Sequence, residues 1–387
     1  MRRVCLLVLV TSCVESPEQI TGASFVTVTD VDGDVTVNGP TYSMGFASSG
    51  VRMPNRFVLD GKETFAIDSV DTCANESNAG IGVFPAVNAN SETQFVSRST
   101  LVRRLEGPVV AKIDVTYEVD YSCNAMLQTL SGTSHFIFFP SGRIVRFDEH
   151  VLPASEPLPA SPQCGCQDAS PGGAYTFSSY WAFNPENATL ADGFGAPRAK
   201  GDLTGNACTI YPDRAIGIAP GMEGQTRLAP HSAASHVFEF VSEAASLVNE
   251  EQFLFTALQV SPADSLGPGD CTELVLQLVD EPINIGGECD ANTDACPRTG
   301  NDAIYVGTTP HPNPFDIKLP PGGTTIPGGF AVAVNLGGAT RGIVTKSPPI
   351  DRDGPVAFTQ ADDQGNILFY FPEPLDATQT ITIEPIF

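Results

Sequence analysis

Apolar and polar residues alternate with a period of two along most of the chain, and long helical periodicity is nearly absent. The clearest run is Val109–Asp120, VVAKIDVTYEVD. Val109, Ala111, Ile113, Val115, Tyr117 and Val119 would line one face, and Lys112, Asp114, Thr116, Glu118 and Asp120 the other. This is the pattern of a strand with one buried and one wet face. Further strands are expected at Phe25–Thr29, Val35–Val37, Arg56–Leu59, Thr64–Ile67, Gln94–Val96, His236–Val241, Phe253–Val260, Leu274–Leu278, Phe330–Asn335, Ile367–Phe371 and Thr380–Glu384. One helix is expected at Ser242–Glu251, with Ser242 as its cap. Pro- and Gly-rich turns separate the strands, and no repeat of fixed period is visible. The expected class is therefore mostly β: a large antiparallel β-sandwich over residues 24–284, a Cys- and Asp-rich linker over 285–311, and a smaller β-sandwich-like module over 312–387.

The N-terminus changes the picture of where the chain works. Met1-Arg2-Arg3 precedes the apolar run Val4–Val10, then Thr11-Ser12-Cys13. A basic start and a short apolar core are the marks of an export signal, and the run is too short to span a bilayer, which takes about 20 apolar residues. Val10-Thr11-Ser12-Cys13 resembles the cleavage box of bacterial lipoproteins. That resemblance implies removal of residues 1–12, lipidation of Cys13, a tether over 13–23 and residence in the cell envelope, at the outer membrane or cell surface. Val14 follows the Cys in place of the Asp associated with inner-membrane retention.

Ten cysteines are present. With Cys5 in the signal and Cys13 lipidated, Cys73, Cys123, Cys164, Cys166, Cys208, Cys271, Cys289 and Cys296 remain. An even number in an exported chain fits up to four disulfides. Sequence alone singles out Cys289–Cys296, which closes a short loop. Cys164-Gly165-Cys166 lacks the two-residue spacing of a zinc knuckle.

The net charge of −25 excludes nucleic acid as a partner and disfavours an anionic membrane surface; the membrane partner is reached through the lipid. The acidity leaves calcium as the one ion with a candidate site. Asp30-Val31-Asp32-Gly33-Asp34 places Asp30, Asp32 and Asp34 at alternate positions, as in Asp-rich calcium loops, although Thr41 stands where an EF-hand requires Glu. A turn with exposed acids is the plainer reading. No other cofactor is implied, and no nucleophile elbow, phosphate loop, dinucleotide motif or metalloprotease motif is found.

The densest polar chemistry lies in Phe139–Val151, FPSGRIVRFDEHV. A two-residue turn at Ser141-Gly142 would place His135 opposite Asp148 and gather His135, Arg146, Asp148 and His150 on one face. A slip of one residue would separate His135 from the rest. The plain origin of such alternation is a solvated face with cross-strand ion pairs. If the face is concave and partly buried, the same residues suit a ligand wall, Arg supplying a planar fork of donors. Tyr180 and Trp181 are candidates for stacking on sugar rings, with core packing as the plainer reading.

Glu106–Val115 (EGPVVAKIDV) followed by SHFIFFPSGRIVRFDEHV resembles the central sheet of galactose-mutarotase-like β-supersandwich domains, over roughly Phe25–Asp280. That resemblance implies long antiparallel strands whose concave face binds sugar. The lyase and mutarotase catalytic sets of that family find no residue-by-residue match here. The expected function is thus an exported, lipid-anchored β protein that binds carbohydrate, a polysaccharide among the candidates, or another extracellular ligand without catalysis. The alternatives are a polysaccharide lyase or hydrolase of the supersandwich type, and a structural or adhesion lipoprotein of the envelope.

Overall fold

The structure is a computed structural model. It describes residues 25–387 except 49–51, 66–80, 88–95, 124–125, 152–174, 194–195, 197–204, 221–225, 229–235, 245–249, 261–265, 279–280, 290–295, 300–302, 349–355 and 363. Only the backbone is described for 81–87, 96–97, 119–123, 126–130, 150–151, 175–180, 182, 220, 226–228, 236–244 and 250–260. Cys13 and the segment expected as an export signal lie outside the described residues.

In chain order, β1 (Thr27–Val31), β2 (Asp34–Asn38), β3 (Tyr42–Phe46), β4 (Pro54–Leu59) and β5 (Lys62–Glu63) form a five-stranded meander. After β6 (Ile81–Val87) come four long strands, β7 (Val96–Glu106), β8 (Ala111–Cys123), β9 (Met126–Phe138) and β10 (Ile144–Val151). Then follow β11 (Tyr175–Phe183), β12 (Thr189–Asp192), β13 (Ala207–Ile210), β14 (Arg214–Pro220), β15 (Thr226–Leu228), β16 (His236–Ala244), β17 (Glu250–Val260) and helix α1 (Pro268–Leu276). The C-terminal module holds β18 (Asn284–Ile285), β19 (Ile304–Val306), β20 (Phe315–Lys318), β21 (Phe330–Val334), β22 (Arg341–Ser347), β23 (Phe358–Ala361), β24 (Ile367–Phe371) and β25 (Thr380–Ile386).

The centre is an eight-stranded sheet ordered β12-β13-β14-β17-β10-β9-β8-β7. On one face it carries Ala111, Ile113, Val115 and Tyr117 of β8, Phe136 and Phe138 of β9, and Ile144 of β10. These pack against Val35, Val37, Met44, Phe46, Phe57 and Leu59 of the N-terminal meander. A bridge between Phe65 and Phe183 joins the meander to a second sheet, β15-β16-β11-β6, which adds Trp181 and Phe183 to the same core. The alternation read from Val109–Asp120 holds over most of the described part of β8: Ala111, Ile113, Val115 and Tyr117 are buried, Thr116 is exposed and Lys112 and Glu118 are half-buried, but Asp114, expected on the wet face, is buried too.

The opposite face is covered over only part of its area. Ile137, Phe139, Val145, Ile210 and Ala215 meet α1 and the outer residues Ala331, Ala333, Leu368 and Tyr370 of the C-terminal module. That module is itself a sandwich of β18-β20-β25-β22 on β19-β21-β24-β23. Strand β21, FAVAV, is therefore buried on both sides, as an unbroken apolar run requires. Its Ala331 and Ala333 face the main sheet, and its Val332 and Val334 face the module's own core. Residues read as linker over 285–311 contribute Ile285 and β19 to these sheets.

Gln360 ties the module to the main sheet. Its Oε1 accepts from the N–H groups of Val109 (2.7 Å) and Val110 (2.9 Å), and its Nε2 donates to the Val110 carbonyl (3.2 Å).

Two local expectations are corrected. The segment expected as a helix, Ser242–Glu251, belongs at its described ends to β16 and β17, whose long cross-strand pairings override local propensity. Leu274–Leu278, expected as a strand, opens within the last turn of α1. Gly267 caps that helix, Pro268 occupies its first position, and the Asp270 carboxylate accepts from the Gly267 N–H. The helix lies on β14, where a Cβ at Gly217 would come within 2.9 Å of Leu274. The Cys208–Cys271 disulfide fixes it to β13, and Cys289–Cys296 is paired as the spacing anticipates. Cys73, Cys164 and Cys166 lie outside the described residues, and the Cys123 side chain is likewise not described.

Candidate functional site

The β9–β10 hairpin closes through three residues rather than two. The Phe139 N–H donates to the Arg143 carbonyl at 3.0 Å, the Gly142 N–H donates to the Phe139 carbonyl at 3.1 Å, and Gly142 takes φ 86°. A three-residue loop with its last residue in the left-handed region is a standard alternative to the two-residue turn. The extra residue shifts the register by one: Arg146 stands opposite Phe136, Phe147 opposite His135, and Asp148 opposite Ser134. The expected His135–Asp148 pair is therefore overturned. His135 lies on the other face of the sheet.

The face with Arg146 and Asp148 is not wet. Arg146 is 0% and Asp148 2% exposed, on the sheet face whose Phe136 and Phe138 pack against Phe46 of the N-terminal meander. Arg146 Nε donates to Asp148 Oδ2 at 2.9 Å, and Ser134 Oγ donates to Asp148 Oδ1. The guanidinium lies 5.8 Å from the Phe136 ring centroid. Burial pushes the Tyr117 hydroxyl pKa well up, the Asp148 carboxylate adds to that rise, and a hydrogen bond with Ser134 works against it. Tyr117 also explains Gly132, where a Cβ would fall 2.5 Å from the Tyr117 hydroxyl oxygen. This is a sealed structural network, so neither the solvated-face nor the ligand-wall reading of Arg146 and Asp148 survives. The backbone of His150 pairs with Gly132 and Glu250, and its side chain lies outside the description.

The open face carries a different set. Across four adjacent strands run Arg104 (β7), Asp114 (β8), His135 (β9) and Glu149 (β10). Arg104 Nε donates to Asp114 Oδ2 at 2.6 Å. Asp114 Oδ1 lies 2.7 Å from His135 Nδ1, and His135 Nε2 lies 3.6 Å from Glu149 Oε2. The imidazole stacks on Phe147, centroids 5.0 Å apart and planes inclined by 17°. Arg104 reaches this face because β7 bulges between Arg103 and Leu105, inserting one extra residue opposite β8. Thr116, Glu118 and Thr133 continue the face outward, and Arg98 Nε meets Glu118 Oε2 at 2.7 Å.

Burial opposes ionisation of His135. The hydrogen bond and attraction of Asp114, reinforced by Glu149, outweigh burial and leave the imidazole pKa above its ordinary value. Burial alone would raise the Asp114 carboxyl, but His135 and Arg104 hold it below the usual carboxylate range. The arrangement is a fixed ladder of alternating charge: Asp114 is 7% exposed, whereas Arg104 and Glu149 present about half of their side chains to solvent.

Of the remaining sequence candidates, Trp181 is fully buried, 6.2 Å from the Phe65 ring and 5.9 Å from that of Phe183, and so is core. Tyr180 pairs through its backbone with Glu239 and Gly82, and its side chain is not described. Asp30, Asp32 and Asp34 form the β1–β2 hairpin turn. Asp30 accepts from the Gly33 N–H at 3.0 Å, Asp34 accepts from the Ser48 N–H at 2.8 Å, and Asp32 takes φ 55°. Among the described residues no group of three or more His, Cys, Asp or Glu stands in position to hold a metal ion.

Asp114 and Glu149 were visible in sequence as polar positions, one on the wet side of the strongest alternation and one in the densest polar stretch. Arg104 was not, because nothing local marks its bulge.

No family model matches the chain, and no curated protein matches it. Solved structures with similar β architecture include the heparan sulfate lyase HepC from Pedobacter heparinus, at 10% identity over 71% of this chain and 41% of that one, TM-score 0.39. Galactose 1-epimerase from Lactobacillus acidophilus NCFM is similar at 9% identity over 59% of this chain and 94% of that one, TM-score 0.34. Heparinase III is similar at 10% identity over 76% and 40%, TM-score 0.32. The chain spans less than half the length of the lyase chains, and the likeness to all three is one of β architecture alone.

Proposed function

We propose that this is an exported, lipid-anchored protein of the cell envelope that binds a carbohydrate or another hydroxyl-rich extracellular ligand on the open half-face of its central sheet, without catalysis. The observation that carries the reading is the ladder Arg104–Asp114–His135–Glu149, continued by Thr116, Glu118 and Thr133. It sets donors and acceptors in fixed positions on rigid strands, which is what orients a polyol. Catalysis is not part of the reading because His135 Nδ1 is taken by Asp114, and Nε2, 3.6 Å from Glu149 and without a hydrogen bond, is buried rather than presented to a substrate.

The test is a glycan array probed with the exported chain carrying Cys13→Ser. Binding that falls when Thr116 and Thr133 are both replaced by Val supports the reading. Absence of binding across the array contradicts it and returns the chain to a structural or adhesion role. The anchor is tested separately: Cys13→Ser should abolish fatty-acid labelling and release the chain from membranes.

A further inference from the structure

We infer that the ligand taken on this face is an uncharged glycan, and that the paired carboxylates of the face act as its filter against polyanions; the inference rests on the carbohydrate-binding reading above. The bases on the open face are matched by acids. Arg98 is held by Glu118 at 2.7 Å, and Arg104 by Asp114 at 2.6 Å. Lys112 shares the face by register. Against these three cations stand Asp114, Glu118 and Glu149, so the described charges sum to zero with His135 neutral.

A polyanion would have to displace carboxylates that already hold the guanidiniums, on a chain of net charge −25. Like charges brought together in this way repel, a common device for rejecting wrong partners. A neutral polyol meets no such cost. It can accept from the exposed edges of Arg98 and Arg104 and donate to Glu118 and Glu149, whose side chains are 43% and 50% exposed. The carboxylates therefore have two uses here: they fix the guanidinium geometry, and they remove the net positive charge that would otherwise recruit sulfated or uronic chains.

The experiment compares the Cys13→Ser chain with a Glu118→Gln/Glu149→Gln variant in the same background. Both are titrated with neutral glucan, mannan and xylan oligosaccharides, and with dextran sulfate and polygalacturonate, at low and high salt. The parent should bind a neutral oligosaccharide with little salt dependence and bind neither polyanion. The variant, whose melting temperature is measured alongside, should gain affinity for dextran sulfate by about tenfold or more, and lose that gain at high salt. A parent that prefers either polyanion, or a folded variant that gains nothing for them, overturns the inference while leaving carbohydrate binding intact. A parent that binds neither class overturns the carbohydrate reading itself, and this inference with it.

Discussion

One hairpin, β9–β10, carries an ionic network on each of its two faces, and the two differ in almost every physical respect. On the side that faces the N-terminal meander, Arg146 and Asp148 have lost their water and are held by each other, by Ser134 and by the Phe136 ring, with Tyr117 close by. On the other side, Arg104 and Glu149 stay half in solvent at the ends of a ladder whose middle, Asp114 and His135, is partly sunk. Adjacent residues of one strand, Asp148 and Glu149, thus belong to different electrostatic regimes. A buried pair adds little net stability over an apolar pair, yet breaking it is costly. An exposed pair contributes little either way and remains available for recognition.

That contrast can be broken most forcefully at Asp148. Asp148→Ala leaves Arg146 charged and dry, and should cost about 3–5 kcal/mol, read as a fall in the denaturant midpoint. Replacing the pair together, Arg146→Met with Asp148→Leu, should recover most of that loss, because the apolar pair needs no desolvation of charge. If the double variant is as unstable as the single, the pair is not the cause.

The next effect lies away from the hairpin and tests whether the covered part of the face is held as described. Cys208→Ser with Cys271→Ser should cost roughly 2–4 kcal/mol by freeing α1 from β13. Gln360→Ala should cost about 1–3 kcal/mol, since the Val109 and Val110 N–H groups lose their acceptor in a buried seam. A surface-sized effect at Gln360 would mean that the module is not seated on the main sheet.

The smallest effect is the pH dependence of the open ladder. The folded pKa of His135 is raised, so its contribution to stability is complete below 6.5, the unfolded value, and is lost as pH rises through the folded value. The Asp114 pKa is lowered, so its contribution is present above 3.8 and is lost as pH falls through the folded value. Stability should therefore peak between these windows. His135→Gln should flatten the upper limb at a cost of about 0.2–1 kcal/mol, measured by denaturation at a series of pH values. An unchanged upper limb in the variant would show that another group titrates there.

Much of the sheet was legible because period two is a local signal: β8, β21 and β24 can be read from their own residues. The hairpin register was not, because it turns on whether Pro140 belongs to the loop, and one residue sends His135 to the opposite face. Nor could sequence say which face of β10 would be dry. That is decided by a meander some hundred residues earlier, whose Phe46 packs on Phe136. Helix α1 was missed because Leu274–Leu278 was read by its apolar content, while the stronger signal, Gly267-Pro268 with Asp270 in the first turn, lay just upstream. The proposed lipid anchor is the opposite case: its expectation rests on the four residues Val10–Cys13 and on nothing in the fold.

The claim that one face is structural and the other recognises ligand is tested most directly by mapping a bound glycan onto the backbone. Amide chemical shifts of the Cys13→Ser chain would be followed during titration with the tightest-binding oligosaccharide from the array. The account predicts that perturbations concentrate at Arg98, Arg104, Thr116, Thr133, His135 and Glu149, while Arg146, Asp148 and the five-stranded meander stay unmoved. Perturbations centred on the C-terminal module or on the meander, with the open face silent, would contradict it.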